Sequence, residues 1–186
     1  MAIISIASTK GGVGKTSLSF SLAKDMGYRY ATNDMSIVLN RYKNARYYPN
    51  KIPLHNDTLY DFGGFESPHI DEILQNSDLI IIPTINDANS LLKTQMFIKK
   101  YSHKTILIVA NMIENPSDAQ NIKSTMQQYF ENLAFTYIRR TKLLKNSLES
   151  GLSATELYNQ NNQTRHTYKQ SYKDYKKILD TLNLYR

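Results

Sequence analysis

A mostly parallel β-sheet with helices on both faces is the fold this 186-residue sequence predicts. Three observations lead there. Short apolar runs alternate with helix-length stretches, the pattern of strand–helix–strand units. The first apolar run leads straight into a glycine-rich loop, Lys10-Gly11-Gly12-Val13-Gly14-Lys15-Thr16, and then into a helix. No repeat or linker interrupts the chain, and its length suits a single domain over residues 1–186 with a full core.

The elements follow in order. Ile3 to Ala7 is an apolar run and reads as the first strand. Ser17 to Met26 places Leu18, Leu22 and Met26 on one face and reads as a helix. Tyr28 to Thr32 is a weaker second strand, and residues 37–56, rich in Tyr, Asn and Lys, read as irregular. Thr58 to Asp61 is a short strand ending in Asp61-Phe62-Gly63-Gly64, followed by a short helix over Pro68 to Asn76. Leu79 to Ile82 is a buried strand that Pro83 is expected to stop. Ala88 to Tyr101 reads as a helix and Thr105 to Ala110 as a strongly apolar strand. Ser117 is the expected cap of a helix reaching about residue 132, with Asp118 in its first turn. Ala134 to Ile138 is the last strand, and two or three helices complete the chain.

The loop carries the chemistry. An ordinary P-loop has Gly, four residues, then Gly-Lys-Thr. Counting back from Gly14-Lys15-Thr16, the first position here is Thr9, and Lys10 is an additional cation. Three glycines still allow backbone N–H groups to turn inward as an anion nest, with a helix N-terminus aimed at the same anion. Lys15 suits the β- and γ-phosphates, and the Thr16 hydroxyl suits Mg²⁺.

Composition narrows the classes. Apolar residues make up 41% and charged residues 21%, as in soluble globular chains. No apolar run nears the roughly 20 residues that span a bilayer, and the first residues lack the flanks of a signal peptide. A cytoplasmic location is expected. The absence of cysteine excludes disulfides and a cysteine-held iron–sulfur cluster. His55, His69, His103 and His166 lack metal-ligand spacing. Net charge is +7, and from Arg139 to Arg186 ten basic residues face four acids. That asymmetry points to a polyanionic partner.

The run Lys10 to Thr16 resembles the deviant Walker A motif of the ParA/MinD family of P-loop ATPases. Most of the chain shares the resemblance, which is specific at this loop and looser elsewhere. It implies ATP and Mg²⁺ as ligands, with residues Gly11, Gly12, Val13, Gly14, Lys15, Thr16 and Ser17 around the phosphates. By the same resemblance Lys10 is the signature lysine that reaches a partner's ATP in a sandwich homodimer. Asp34 matches the second aspartate of the family's Asp-x-Asp segment and would position the attacking water; Thr32 stands where the first aspartate is usual. Asp61 fits a Walker B aspartate holding Mg²⁺ through water, with Gly63-Gly64 sensing the γ-phosphate. Asn111 corresponds to an adenine-binding asparagine. Asp61-Phe62-Gly63 also matches a protein-kinase triplet, but the glycine loop is of another type and no His-Arg-Asp sequence exists. At this length, the helix-turn-helix domain of longer relatives has no room.

Tyr168, Tyr172, Tyr175, Leu179 and Leu182 recur at helical spacing and form one apolar face, with the nearby lysines off it. Such a helix docks on the domain and presents its cations outward. Arg139, Arg140, Lys142, Lys145, Arg165, Lys169, Lys173, Lys176 and Lys177 are the candidate phosphate contacts. The expected function is that of a short ParA-like partition ATPase. It would dimerise with ATP, bind non-specific DNA, and be released when a ParB-like centromere-binding protein stimulates hydrolysis. A MinD-like membrane-surface ATPase and a nucleotide-gated adaptor are the alternatives. Three tyrosines on the last helix fit a membrane surface poorly.

Overall fold

The computed structural model describes residues 2–63, 68–130 and 133–185. Gly64, read from sequence as part of the γ-phosphate sensor, and Arg186, counted in the basic C-terminal quarter, lie outside the described residues. The strands are β1 (Ile3–Ile6), β2 (Arg29–Thr32), β3 (Ala45–Tyr47), β4 (Thr58–Asp61), β5 (Leu79–Thr84), β6 (Ile106–Ile113) and β7 (Ala134–Arg139). They pair in parallel in the order β3-β2-β4-β1-β5-β6-β7. The helices are α1 (Lys15–Met26), α2 (Val38–Arg41), α3 (Pro68–Asn76), α4 (Ala88–Lys100), α5 (Pro116–Gln127), α6 (Leu143–Ser150), α7 (Ala154–Asn159) and α8 (Asn162–Asn183).

Period-two alternation divides the core between the sheet's faces. Ile4, Ile6, Leu79, Ile81, Leu107 and Val109 face one cluster, which α1, α6, α7 and α8 cover. Ile3, Ile80, Ile82, Ile106 and Ile108 face the other, covered by α3, α4 and α5. Strands buried on both sides read as continuous apolar runs, and this is why they were visible in the sequence.

Several expected boundaries move, each for a local reason. The stretch 37–56 is not wholly irregular: it holds α2 and the edge strand β3, which pairs with β2. Helix α1 begins at Lys15, after Gly14 at φ 82°, and therefore takes Lys15 and Thr16 into its first turn. Pro83 does not stop β5. Ile81 O accepts the Ala7 N–H on the β1 side, while the Ile80 N–H points to Thr105 on the β6 side. By alternation Pro83 faces the β1 side, past Ile6, the last residue of β1, so its missing N–H removes no bond between the two strands. The cap of α5 is Asn115 and not Ser117; it forms a capping box with Asp118, Pro116 enters the first turn, and the helix ends at Gln127. Strand β6 continues through Asn111 to Ile113 with an irregularity marked by Met112 at φ 57°.

The C-terminal helices are tied to α1 by polar bonds as well as packing. The Tyr175 and Thr155 hydroxyls both donate to Asp25 Oδ2, each at 2.7 Å. Lys24 bridges to Glu156 at 2.6 Å and donates to Gly151 O at 2.6 Å. Glu156 also closes the α7 capping box with Ser153. Burial opposes its charge, but Lys24 and the Ser153 N–H outweigh burial and hold its pKa below the ordinary 4.5. Its contribution is therefore present above pH 4.5 and is lost as pH falls through the lowered folded value. Glu156→Ala should cost about 1–2 kcal/mol, a cap plus a partly screened ion pair. Thermal melting at neutral pH should show Tm down by about 2–8 °C, and the difference from the parent should shrink in acid. Among the described residues no helix is long and apolar enough to cross a membrane.

Candidate nucleotide-binding site

The loop between β1 and α1 sits at the carboxyl ends of the central strands, where parallel sheets place ligands. Val13 is fully buried and anchors the loop, while Gly11 and Gly12 are exposed. Gly12 and Gly14 have φ of 77° and 82°, a region that side chains rarely adopt. A Cβ on Gly14 would also lie 2.5 Å from Asn111 Nδ2. That amide donates to Val13 O at 2.7 Å, and its oxygen accepts the Met112 N–H. Asn111 thus braces the loop from β6.

Lys15 is partly buried beside the carboxylates of Asp61 and Asp34. Burial lowers its pKa below 10.5, against the pull of those two charges. Asp61 is 3% exposed at the end of β4. The Tyr30 hydroxyl donates to Asp61 Oδ2 at 2.6 Å. Oδ1 is buried and has no hydrogen-bond partner among the described residues. Burial raises the Asp61 pKa, although Tyr30, Thr16, Lys15 and Ser19 all act to lower it. Burial, followed by the adjoining Asp61, drives the Tyr30 pKa well up, so Tyr30 stays a neutral donor.

Asp34 is exposed, in a turn just past β2. Buried Thr32, at the position where the resembled segment carries an aspartate, accepts the Asp34 N–H at 3.0 Å and so shapes the turn. Asn33 accepts the Gly63 N–H at 2.9 Å. A Cβ on Gly63 would lie 2.5 Å from Asp34 Cβ, so only glycine lets the two segments close up here. Asp34, Asp61 and Lys15 are thereby brought to one place.

Lys10 lies on the outer side of the loop and pairs with Asp87 at 3.7 Å. Asp87 is also the α4 N-cap, accepting from Asn89 and Ser90. Lys10, Lys15, Lys93 and Lys100 line one cavity of about 650 Å³ against the loop. Sequence reasoning missed Tyr30, Asp87 and Gly63's approach to Asp34. An aspartate directly before Ala88 is an ordinary N-cap signal and was legible; the other two depend on β2 and β4 being neighbours.

These residues fit a magnesium–nucleotide. The glycine nest and α1 N-terminus suit phosphate. The Thr16 hydroxyl and the unpartnered Asp61 Oδ1 are hard oxygen donors of the kind Mg²⁺ takes. Among the described residues no cluster of three or more His, Cys, Asp or Glu could hold a metal ion.

A model of the CobQ/CobB/MinD/ParA nucleotide binding domain matches residues 4–154. The chain belongs to this family. That match agrees with the parallel sheet and the loop, so this is a nucleotide-binding domain of the MinD/ParA type. No curated protein matches the sequence. Among solved structures, the chain is similar to an ATP complex of McdA from Cyanothece, at 14% identity and TM-score 0.68, covering 98% of this chain and 96% of that one. It is similar to the cell division ATPase MinD of Pyrococcus furiosus, at 15% identity and TM-score 0.66, covering 100% and 99%. It is also similar to a ParA family ATPase from Chlorobium tepidum, at 14% identity and TM-score 0.60, covering 89% and 95%. At these identities the likeness is one of fold.

The basic residues singled out from sequence separate into two groups. Arg139 donates to buried Asp174 at 2.7 Å and Arg140 pairs with Glu114. Lys145 pairs with Glu149, Lys176 with Asp180, and Lys177 lies over the Tyr137 ring. Lys142, Arg165, Lys169 and Lys173 are exposed and have no ion pair among the described residues. On α8, Tyr175 and Leu182 are buried and Tyr168, Tyr172 and Leu179 pack beside them, as their spacing predicts.

Proposed function

We propose that this domain is a ParA-like positional switch that binds ATP with Mg²⁺, joins a second copy across the loop face, holds non-specific DNA, and lets go on hydrolysis. One observation carries the DNA half. Arg165, Lys169 and Lys173 recur at spacings of four, are exposed along α8, whose apolar face is buried, and form no ion pair among the described residues. A row of outward cations meets phosphates without reading sequence. The same burial speaks against a membrane role, because Tyr175, Ile178 and Leu182 are not free to enter a lipid surface.

The nucleotide half rests on Lys15, Thr16 and Asp61 inside the site and Lys10 at its rim. Lys15 would neutralise the β/γ-phosphates, and Thr16 and Asp61 would hold Mg²⁺, which supplies charge stabilisation at the transferred phosphoryl group. Asp34 would orient the attacking water. Asn111 would meet adenine through the second hydrogen of the amide that braces the loop. Intrinsic turnover would be slow until a ParB-like partner completes the charge complement.

Lys10 tests the reading. It lies on the outer side of the loop and pairs with Asp87, which supports a reach toward a partner's nucleotide. Lys10→Ala should leave ATP affinity within about threefold, since no buried charge is unpaired by the change. It should abolish the ATP-driven shift from monomer to dimer in light scattering. A Lys10→Ala protein that still dimerises with ATP would remove this assignment.

A further inference from the structure

The cations most open to a polyanion are not confined to the C-terminal quarter. Residues 35–56 contain Arg41, Lys43, Arg46 and Lys51 and no acidic residue. All four are exposed, as is Arg29 on the adjoining strand. None of the five forms an ion pair among the described residues. By contrast, Arg139, Arg140, Lys145 and Lys176 are each matched to a carboxylate.

Lys43, Arg46 and Lys51 lie on or beside the edge strand β3, and Arg29 lies on its neighbour β2. Arg29 and Arg46 line a polar cavity of about 390 Å³ with Asn44, Asn56 and a single carboxylate, Asp57. The Arg46 guanidinium is fixed by two bonds from Nη1, to Lys43 O at 2.8 Å and Ala45 O at 2.7 Å. Three N–H groups of that fork remain for an external acceptor. Tyr47, 36% exposed, stands next to it on β3. Two guanidiniums and two amides around one carboxylate suit a phosphate group better than a cation.

We infer that the β3 edge is a second phosphate-contacting surface for duplex DNA, with Arg29 and Arg46 seating one backbone phosphate, Lys43 just before β3 and Lys51 past its carboxyl end. This rests on the DNA-binding reading above. The cavity lies at the amino ends of β2 and β4, away from the nucleotide loop, so joining two copies across the loop face leaves it open. Strand β3 is one edge of the sheet, whereas α8 packs against β7 at the other edge and against α1. The two basic regions can therefore be tested independently.

The test compares the full chain with Lys43→Gln/Arg46→Gln/Lys51→Gln and with Lys169→Gln/Lys173→Gln, using a non-specific 60-base-pair duplex and ATP over a range of salt. The edge variant should bind ATP normally and lose about tenfold to a hundredfold in DNA affinity. Its plot of log affinity against log salt should be shallower by about 2 to 3. Lys43→Gln/Lys51→Gln, which leaves the Arg46 bonds intact, should show about two-thirds of that change in slope. Edge variants with parental affinity and slope, beside a weakened α8 variant, would overturn the inference and leave the DNA reading standing. Edge variants that lose binding only to phosphatidylserine vesicles would also overturn it. A parent chain that binds no duplex with ATP would remove the DNA reading, and the inference with it.

Discussion

Lys15→Ala is expected to weaken ATP binding by about two to three orders of magnitude, read by calorimetry at constant Mg²⁺. Lys15 is the partly buried cation between the loop and two carboxylates, Asp61 and Asp34. Its removal loses the charge facing the phosphates and leaves those carboxylates to repel them. Breaking a desolvated charge pair costs about 3–5 kcal/mol, and each 1.4 kcal/mol is tenfold. The helical circular dichroism should be unchanged, because α1 is held by Leu18, Phe20 and Leu22, all fully buried. An alanine variant that binds ATP within threefold of the parent would mean that the glycine nest alone carries the phosphates.

Asp61→Asn should separate function from stability. Among the described residues, Asp61 Oδ1 and the Ser19 hydroxyl are buried without a hydrogen-bond partner. A buried carboxylate with one oxygen left unpartnered is destabilising in the free protein, even with Tyr30 on the other oxygen. An asparagine amide can still accept the Tyr30 hydroxyl and can offer an N–H to Ser19. The free variant should therefore melt at the same temperature or a few degrees higher, at roughly 2–4 °C per kcal/mol for a chain this size. Hydrolysis should fall by about a hundredfold or more, and Mg²⁺ should no longer raise the Tm in the presence of nucleotide. A variant that melts well below the parent would show that the carboxylate serves the fold and not the ligand.

What the sequence disclosed followed from locality. Lys10 to Thr16 is a continuous run whose loop, lysine, threonine and helix are adjacent in the chain, so the nest was readable before any sheet was assembled. Asp61 was readable because an apolar strand ends on it. The α8 face was readable because its period is 3.6. Features that needed the strand order were not. Tyr30 reaches Asp61 only because β2 and β4 pair, with Thr32 opposite Asp61. Asn111 reaches Val13 across 98 residues, while the local signal only marked the end of an apolar run. Strand β3 is three residues of mixed polarity, too short for alternation to show against its tyrosine-rich surroundings. Pro83 misled because a strand's two hydrogen-bonding sides are not distinguished in sequence.

In the proposed switch, nucleotide state sets DNA attachment. Its most direct measurement is retention of the purified chain on non-specific duplex DNA with ATP, with ADP and without nucleotide, at low and at physiological salt. Retention should require ATP and Mg²⁺, fall with ADP, and weaken steeply with salt. Equal retention in all three states, or none at low salt with ATP, would contradict it.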